Sequence, residues 1–266
     1  MLKGLYTATA GMITQQRRTE MLSNNMANAN TSGYKADQAS VRAFPEMLLN
    51  RMDTKSTAVG SFHTGVYLQE LNSQNNQGEL RETGLMSDVA LIEQNVPIHP
   101  VTNQKGVLLF AVENQAGEER YTRNGHFTLD ENGTLRSNGN QVLSTTGQPI
   151  SIQSSNYQIS ADGDIFADGE FVAQIDVRFA DDIRNLANEG NGFFRTADNS
   201  ALPTALGNGA VQYSLKQNYL ENSTVDVGKT YVEMMTAYRS FEANQKVLQA
   251  YDKSMDKAVN EIGRLR

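Results

Sequence analysis

Residues 22–35 read Leu22-Ser23-Asn24-Asn25-Met26-Ala27-Asn28-Ala29-Asn30-Thr31-Ser32-Gly33-Tyr34-Lys35. Four asparagines crowd the end of an apolar-periodic segment, and Gly33 follows them. Glycine is common just past a helix end because it takes a positive φ without a Cβ clash. The spacing therefore predicts a helix that runs from the N-terminus and stops between Met26 and Gly33. Asn24 and Asn28 stand four apart and share a helical face. An amide donates, accepts and carries no charge, so such a face can bond to copies of itself without like-charge repulsion, as suits a repeated surface. The same residues also read as a solvated, frayed helix end.

Upstream, Leu5, Ala8, Met12, Gln15, Thr19, Leu22, Met26 and Ala29 recur at intervals of three and four, a heptad-like stripe with two polar members. A helix of about 28 residues would be about 42 Å long, and its stripe needs a partner helix from this chain or a neighbour. At the other end, the last forty residues hold no Pro. Val227, Tyr231, Met234, Tyr238 and Phe241 form an apolar row there, which Leu248, Tyr251, Met255, Ala258 and Ile262 continue after a phase slip at Asn244. About 38 helical residues would span about 57 Å. That length argues for a coiled coil in which residues 216–266 pair with residues 1–35. An ordinary core helix packed on a β domain is the alternative. Ser223 is the expected N-cap, with Asp226 near the positive helix start. The packing candidates are Leu5, Met12, Leu22, Asn24, Asn25, Met26 and Asn28 in the first helix. In the second they are Tyr231, Met234, Tyr238, Phe241, Asn244, Leu248, Tyr251, Met255 and Ile262.

Residues 36–76 have a poor pattern and read as an extended linker, with a short helical turn at Phe44-Pro45-Glu46-Met47-Leu48-Leu49; disorder is the competing reading. Residues 77–215 read as a β domain. Asn124-Gly125, Asn132-Gly133, Asn138-Gly139, Asp162-Gly163 and Asp168-Gly169 supply the positive φ that tight hairpins demand. The clearest strand is Glu170 to Phe179, with Phe171, Ala173, Ile175, Val177 and Phe179 on one face. Val107 to Val112 is a second. Many short strands at this spacing suggest a small barrel or sandwich rather than a βαβ fold, and the whole chain is read as α+β.

The chain has 266 residues with no Cys and no Trp, so disulfides and thiolate metal sites are excluded. Its net charge of −7 is uneven: residues 1–35 carry +3 and residues 216–266 carry +1, leaving −11 to the middle. An acidic middle argues against a nucleic-acid platform and fits a solvated domain between packable ends. The longest apolar run, Val107 to Val112, is far too short to span a bilayer. Gly4, Thr7, Thr9 and Gly11 interrupt any signal-peptide core, so export, if it occurs, is expected without a cleaved secretory signal.

No catalytic, cofactor or metal site is readable. His63, His99 and His126 share no ligand spacing. Asp162-Gly163-Asp164 and Asp130-Glu131-Asn132-Gly133 lack the glycine and terminal glutamate of a calcium loop and read as hairpin turns. Gly207-Asn208-Gly209 lacks the third glycine of a dinucleotide fingerprint, and no G-x-S-x-G elbow occurs. Carboxylate pairs of a glycosidase are set in three dimensions and leave no mark here.

Several stretches together resemble one family. Asn24-Asn25-Met26-Ala27-Asn28, then Thr31-x-Gly33-Tyr34-Lys35, with Ala10-Gly11-Met12 upstream, resembles the N-terminal signature of the bacterial flagellar rod and hook proteins. Gln77-Gly78-x-Leu80-x-x-Thr83-Gly84 and Asp88-x-Ala90-Leu91 resemble the entry to that family's β domain. Tyr121-Thr122-Arg123-x-Gly125-x-Phe127, Gly133-x-Leu135 and Gly139-x-x-Val142-Leu143 resemble its interior. Gln217-x-x-Leu220-Glu221-x-Ser223-x-Val225-x-Val227 and Arg239-x-Phe241-Glu242-x-Asn244 resemble its C-terminal helix. The pattern departs at Glu93 and Asn95, where the family has glycines, and Pro97-Ile98-His99-Pro100 looks inserted. Arg123 reads as a hairpin anchor rather than a catalytic group.

The resemblance implies a structural subunit of the basal-body rod, of the distal-rod type, exported through the flagellar type III apparatus. It implies assembly with itself and with other rod and hook subunits by stacking of the terminal helices, located in the flagellar basal body, with no enzymatic activity and no cofactor. The rival readings are a cell-wall-acting or carbohydrate-binding β-domain protein with a coiled-coil stalk, and a soluble adhesin.

Overall fold

The computed structural model describes residues 3–51, 57–73, 75–100, 102, 104–154 and 156–262. The described chain is α+β and divides into two units. One comprises residues 1–27, 36–74 and 225–266, the other residues 28–35 and 75–224.

The first unit opens with α1 (Lys3–Ala27). Strands β1 (Asp37–Ala43) and β4 (Val66–Ser73) pair antiparallel, as do β2 (Met47–Arg51) and β3 (Thr57–Phe62). The stretch read as a linker is therefore a two-stranded ribbon, and no helical turn forms at Phe44–Leu49. The ribbon lies against α1. Thr14 is buried, and its hydroxyl donates to Ala10 O at 2.8 Å and to Val66 O at 3.1 Å. Two strands alone are marginal in water; the helix supplies the covering face.

Helix α2 (Val227–Lys257) closes this unit and ends in a π turn, Ala258–Ile262. Its N-cap is Asp226, not Ser223: the Asp226 carboxylate accepts from Lys229 N–H at 2.9 Å. A carboxylate there satisfies an orphan amide and sits at the positive end of the helix dipole, where a serine hydroxyl offers only the first effect.

The second unit holds β5 (Leu80–Glu82), β6 (Val89–Asn95), β7 (Val107–Glu113), β8 (Glu119–Thr122), β9 (Phe127–Leu129), β10 (Leu135–Ser137) and β11 (Asn140–Val142). It continues through β12 (Tyr157–Ile159), β13 (Asp164–Ala167), β14 (Glu170–Gln174), β15 (Val177–Ala180), β16 (Leu186–Gly190), β17 (Phe193–Thr196), β18 (Gln212–Gln217) and β19 (Tyr219–Glu221). The largest sheet runs β16-β17-β8-β7-β11-β10-β9, with β15 also on β7. Strands β12-β13-β14 form a second sheet, and β18-β6 and β19-β5 two ribbons. The described sheets stay open, so of the small barrel or sandwich expected from the sequence no closed barrel forms.

Glu170 to Phe179 is not one strand. It breaks at Ile175–Asp176, sending β14 to β13 and β15 to β7; Phe171 is exposed, whereas Ile175, Val177 and Phe179 are buried. The core gathers around Phe110 and Phe127, whose rings meet edge to face with centroids 5.2 Å apart. Four of the five expected turn dipeptides bring a positive-φ glycine, and Asn138-Gly139 and Asp168-Gly169 make two-residue hairpins. Gly125 is the exception. A Cβ there would collide with the carbonyl of Val89, so this glycine serves close approach instead.

Candidate assembly surface

Within the first unit α1 and α2 run antiparallel. Gly4 abuts the Tyr251 ring, a Cβ on Gly11 would lie 2.9 Å from Asn244 Nδ2, and Arg18 pairs with Glu233 at 3.2 Å. Gly4, Gly11 and Arg18 are seven apart, as are Thr230, Ala237, Asn244 and Tyr251. Gly4 and Gly11, read in the sequence only as interrupting a signal-peptide core, are thus what lets the helices approach closely.

The side of α2 turned to α1 carries buried Thr230 and Ala237 and half-buried Met234, Phe241, Asn244, Leu248 and Tyr251. These follow an unbroken four-three spacing. No phase slip occurs at Asn244, which belongs to the seam opposite Gly11. The expected row splits. Met234 and Phe241 lie on the seam, while Val227, Tyr231 and Tyr238 are exposed at 51, 53 and 52%. Small side chains at Thr230 and Ala237 set the line of closest approach, and the bulkier neighbours fall outside it. Met255 is exposed, and the side chain of Ile262 lies outside the described residues.

On α1, Leu5, Met12 and Met26 are half-buried and Leu22 is buried. Met21 and Leu22 cluster with Ala237, Met234 and Ala39. Tyr6, Ile13 and Asn24 are exposed. Asn25 is buried, and its amide makes two bonds to one backbone unit: Nδ2 donates to Asp37 O at 2.8 Å, and Oδ1 accepts from Asp37 N–H at 3.0 Å. It pins the start of β1. Asn28 lies past the helix end in a turn, where Oδ1 accepts from the Thr31 hydroxyl at 3.3 Å. Asn24 and Asn28 therefore do not share a helical face; the helix stops at Ala27, one residue too early.

In the second unit, residues 28–35 lie on a buried line of alternating charge that the sequence reading missed. Lys35 is ion-paired with Glu221. Arg123 Nε lies 2.7 Å from Glu221 Oε2 and its Nη1 2.9 Å from Glu93 Oε1, and Lys105 Nζ lies 2.7 Å from Glu93 Oε2. Arg123 also donates to Leu108 O at 2.7 Å and to Leu91 O at 3.1 Å. It joins β6, β7 and β19 rather than one hairpin. Glu93, a departure from the family pattern, has its own counter-ion in Lys105.

Among the described residues, no group of three or more His, Asp or Glu is placed to hold a metal ion, and no helix is long and apolar enough to cross a membrane.

Family models match three stretches. The flagella basal body rod protein model covers residues 5–35, the flagellar hook protein FlgE/F/G D1 domain residues 105–167, and the flagellar basal body rod FlgEFG protein C-terminal model residues 216–261. The chain is 56% identical over 271 residues to the flagellar hook-basal body complex protein FlhO of Bacillus subtilis, covering all of both chains. It is 29% identical to the flagellar basal-body rod protein FlgG of the same organism, over 98% of this chain and 99% of that one. It is likewise 29% identical to the flagellar basal-body rod protein FlgF of Rhizobium meliloti, over 99% of each.

Proposed function

The chain belongs to the bacterial flagellar basal-body rod protein family, and on that premise we propose that its helix pair is the surface through which copies assemble. It is a structural subunit of the flagellar basal body. The rival reading, a cell-wall-acting or carbohydrate-binding domain, finds no support among the relatives.

The observation that carries the assembly reading is the second apolar side of α2. One side serves α1. Val227, Tyr231, Val232, Met235 and Tyr238 remain exposed, as do Tyr6 and Ile13 of α1. Burying one such side chain fully is worth roughly 1.5–3 kcal/mol, repeated in every copy of a polymer. Neighbouring rod or hook subunits are the partners this face fits. The seven-residue spacing of Gly4, Gly11, Asn244 and Tyr251 supports reading the intrachain pair as an antiparallel coiled coil. Export through the flagellar type III apparatus completes the proposal. Leu248 is engaged within the chain, whereas Met255 is exposed and available to a neighbour.

Tyr238→Asp tests this. The side chain is half out in water, so the variant should keep its helix content and thermal midpoint. In an assembled layer the carboxylate would be desolvated in each copy at a cost of several kcal/mol. The expected result is loss of swimming and absence of the variant from purified basal bodies. Normal incorporation would sink the proposal.

A further inference from the structure

The loop between α1 and β1 leaves the first unit at Asn28, lies on the second, and returns at Ala36. Little apolar surface holds it there. None of its residues joins a hydrophobic cluster, and Gly33 alone is buried. Ala29, Asn30 and Ser32 line a cavity of about 530 Å³ with Arg81, Asn222 and Ser223, so much of its underside is not close-packed.

The attachments at its Gly33–Lys35 end are polar. Gly33 N–H donates to Glu221 O at 2.8 Å, and Thr224 N–H donates to Tyr34 O at 3.0 Å. Lys35 pairs with Glu221 and donates to Asn76 O at 2.7 Å. Gly33 has φ +73°, and a Cβ there would lie 2.6 Å from Arg123 O. Lys35 stands at one end of the charge line. Without it Glu221 still has Arg123, which also retains Glu93.

We propose that residues 28–35 are a detachable strap, locked by Lys35 and Gly33, that opens while the β core stays folded. When it is released, residues 28–35 no longer grip the rest of the β unit.

Deuterium exchange of the full chain, read by mass spectrometry, tests this. Local openings and global unfolding exchange amides at separable rates. Lys35→Met should speed exchange of residues 31–34 by about tenfold or more, while β7 exchanges as in the parent. Gly33→Ala should do the same without altering any charge, and so separates strap release from damage to the ion line. Unchanged exchange at 31–34 in both variants would overturn the lock. Acceleration that spreads equally to β7 would show that the strap is an inseparable part of the core.

Discussion

Glu221 has 2% of its side-chain surface exposed and touches two cations and the amide of Gly78, which donates at 2.7 Å. Burial pulls its carboxyl upward, but Arg123, Lys35 and the hydrogen bonds outweigh that and leave it below the ordinary value of 4.5. Its partner moves differently: burial first, then Arg123, push the Lys35 ammonium down. Arg123 holds the Glu221 carboxylate whether or not Lys35 is charged. A carboxyl depressed in the folded state adds stability above its unfolded pKa, and that stability is lost as pH falls through the folded value. Glu221→Gln should therefore flatten the acid limb of a stability–pH curve measured by urea unfolding. At neutral pH it should cost roughly 3–5 kcal/mol, because Arg123 keeps a buried charge with one counter-ion missing. An unchanged acid limb would show that Glu221 does not carry the acid sensitivity. None of this was legible in the sequence. Lys35, Glu93, Lys105, Arg123 and Glu221 are far apart along the chain, and charges that meet only after folding leave no periodic trace.

At the scale of elements, legibility followed chemistry. Hairpins such as Asn138-Gly139 were readable because positive φ restricts residue type locally. Both helices were readable from their spacing, but the α2 seam was misassigned. Apolarity ranks Tyr231 and Tyr238 above Thr230 and Ala237, yet the small pair is buried and the tyrosines are exposed. Close approach, not hydrophobicity, chose the face. The ribbon β1–β4 was illegible for a related reason: β1 is mostly exposed, the alternation of Ala39, Val41 and Ala43 is short and buries little, and the ribbon is held by α1. Gly11→Leu tests the close approach. The added side chain meets Asn244, and overpacking of this kind typically costs about 1–3 kcal/mol. Thermal unfolding followed by helical circular dichroism should show a lower midpoint, whereas Ile13→Leu on the exposed side should not. Equal midpoints would mean that the helices are not held at that distance by Gly11.

For the whole molecule, the question is what the β unit needs in order to fold alone. The turns and strands of residues 77–214 look self-contained in sequence, but the contacts assign residues 28–35 and 215–224 to the same unit. Cutting at 214 leaves β6 only the first half of β18, Gln212–Ser214, and removes β19 from β5. Leu215 and Leu220, both buried, are lost, and so is Glu221 beside Arg123. Burying a leucine is worth roughly 1.5–3 kcal/mol, and domains typically hold only about 5–15 kcal/mol in total. Residues 77–214 should therefore melt broadly or not at all. Residues 75–224 restore β18, β19, Leu215, Leu220 and Glu221, and lack only the strap with Lys35. Since Arg123 still bridges Glu221 and Glu93 there, this longer fragment should melt cooperatively, at a lower temperature than the β unit in the full chain. Calorimetry of both fragments decides the point. If residues 77–214 melt as cooperatively and as high as residues 75–224, then the second half of β18, β19 and the Arg123–Glu221 pair are accessories to the fold of the β unit.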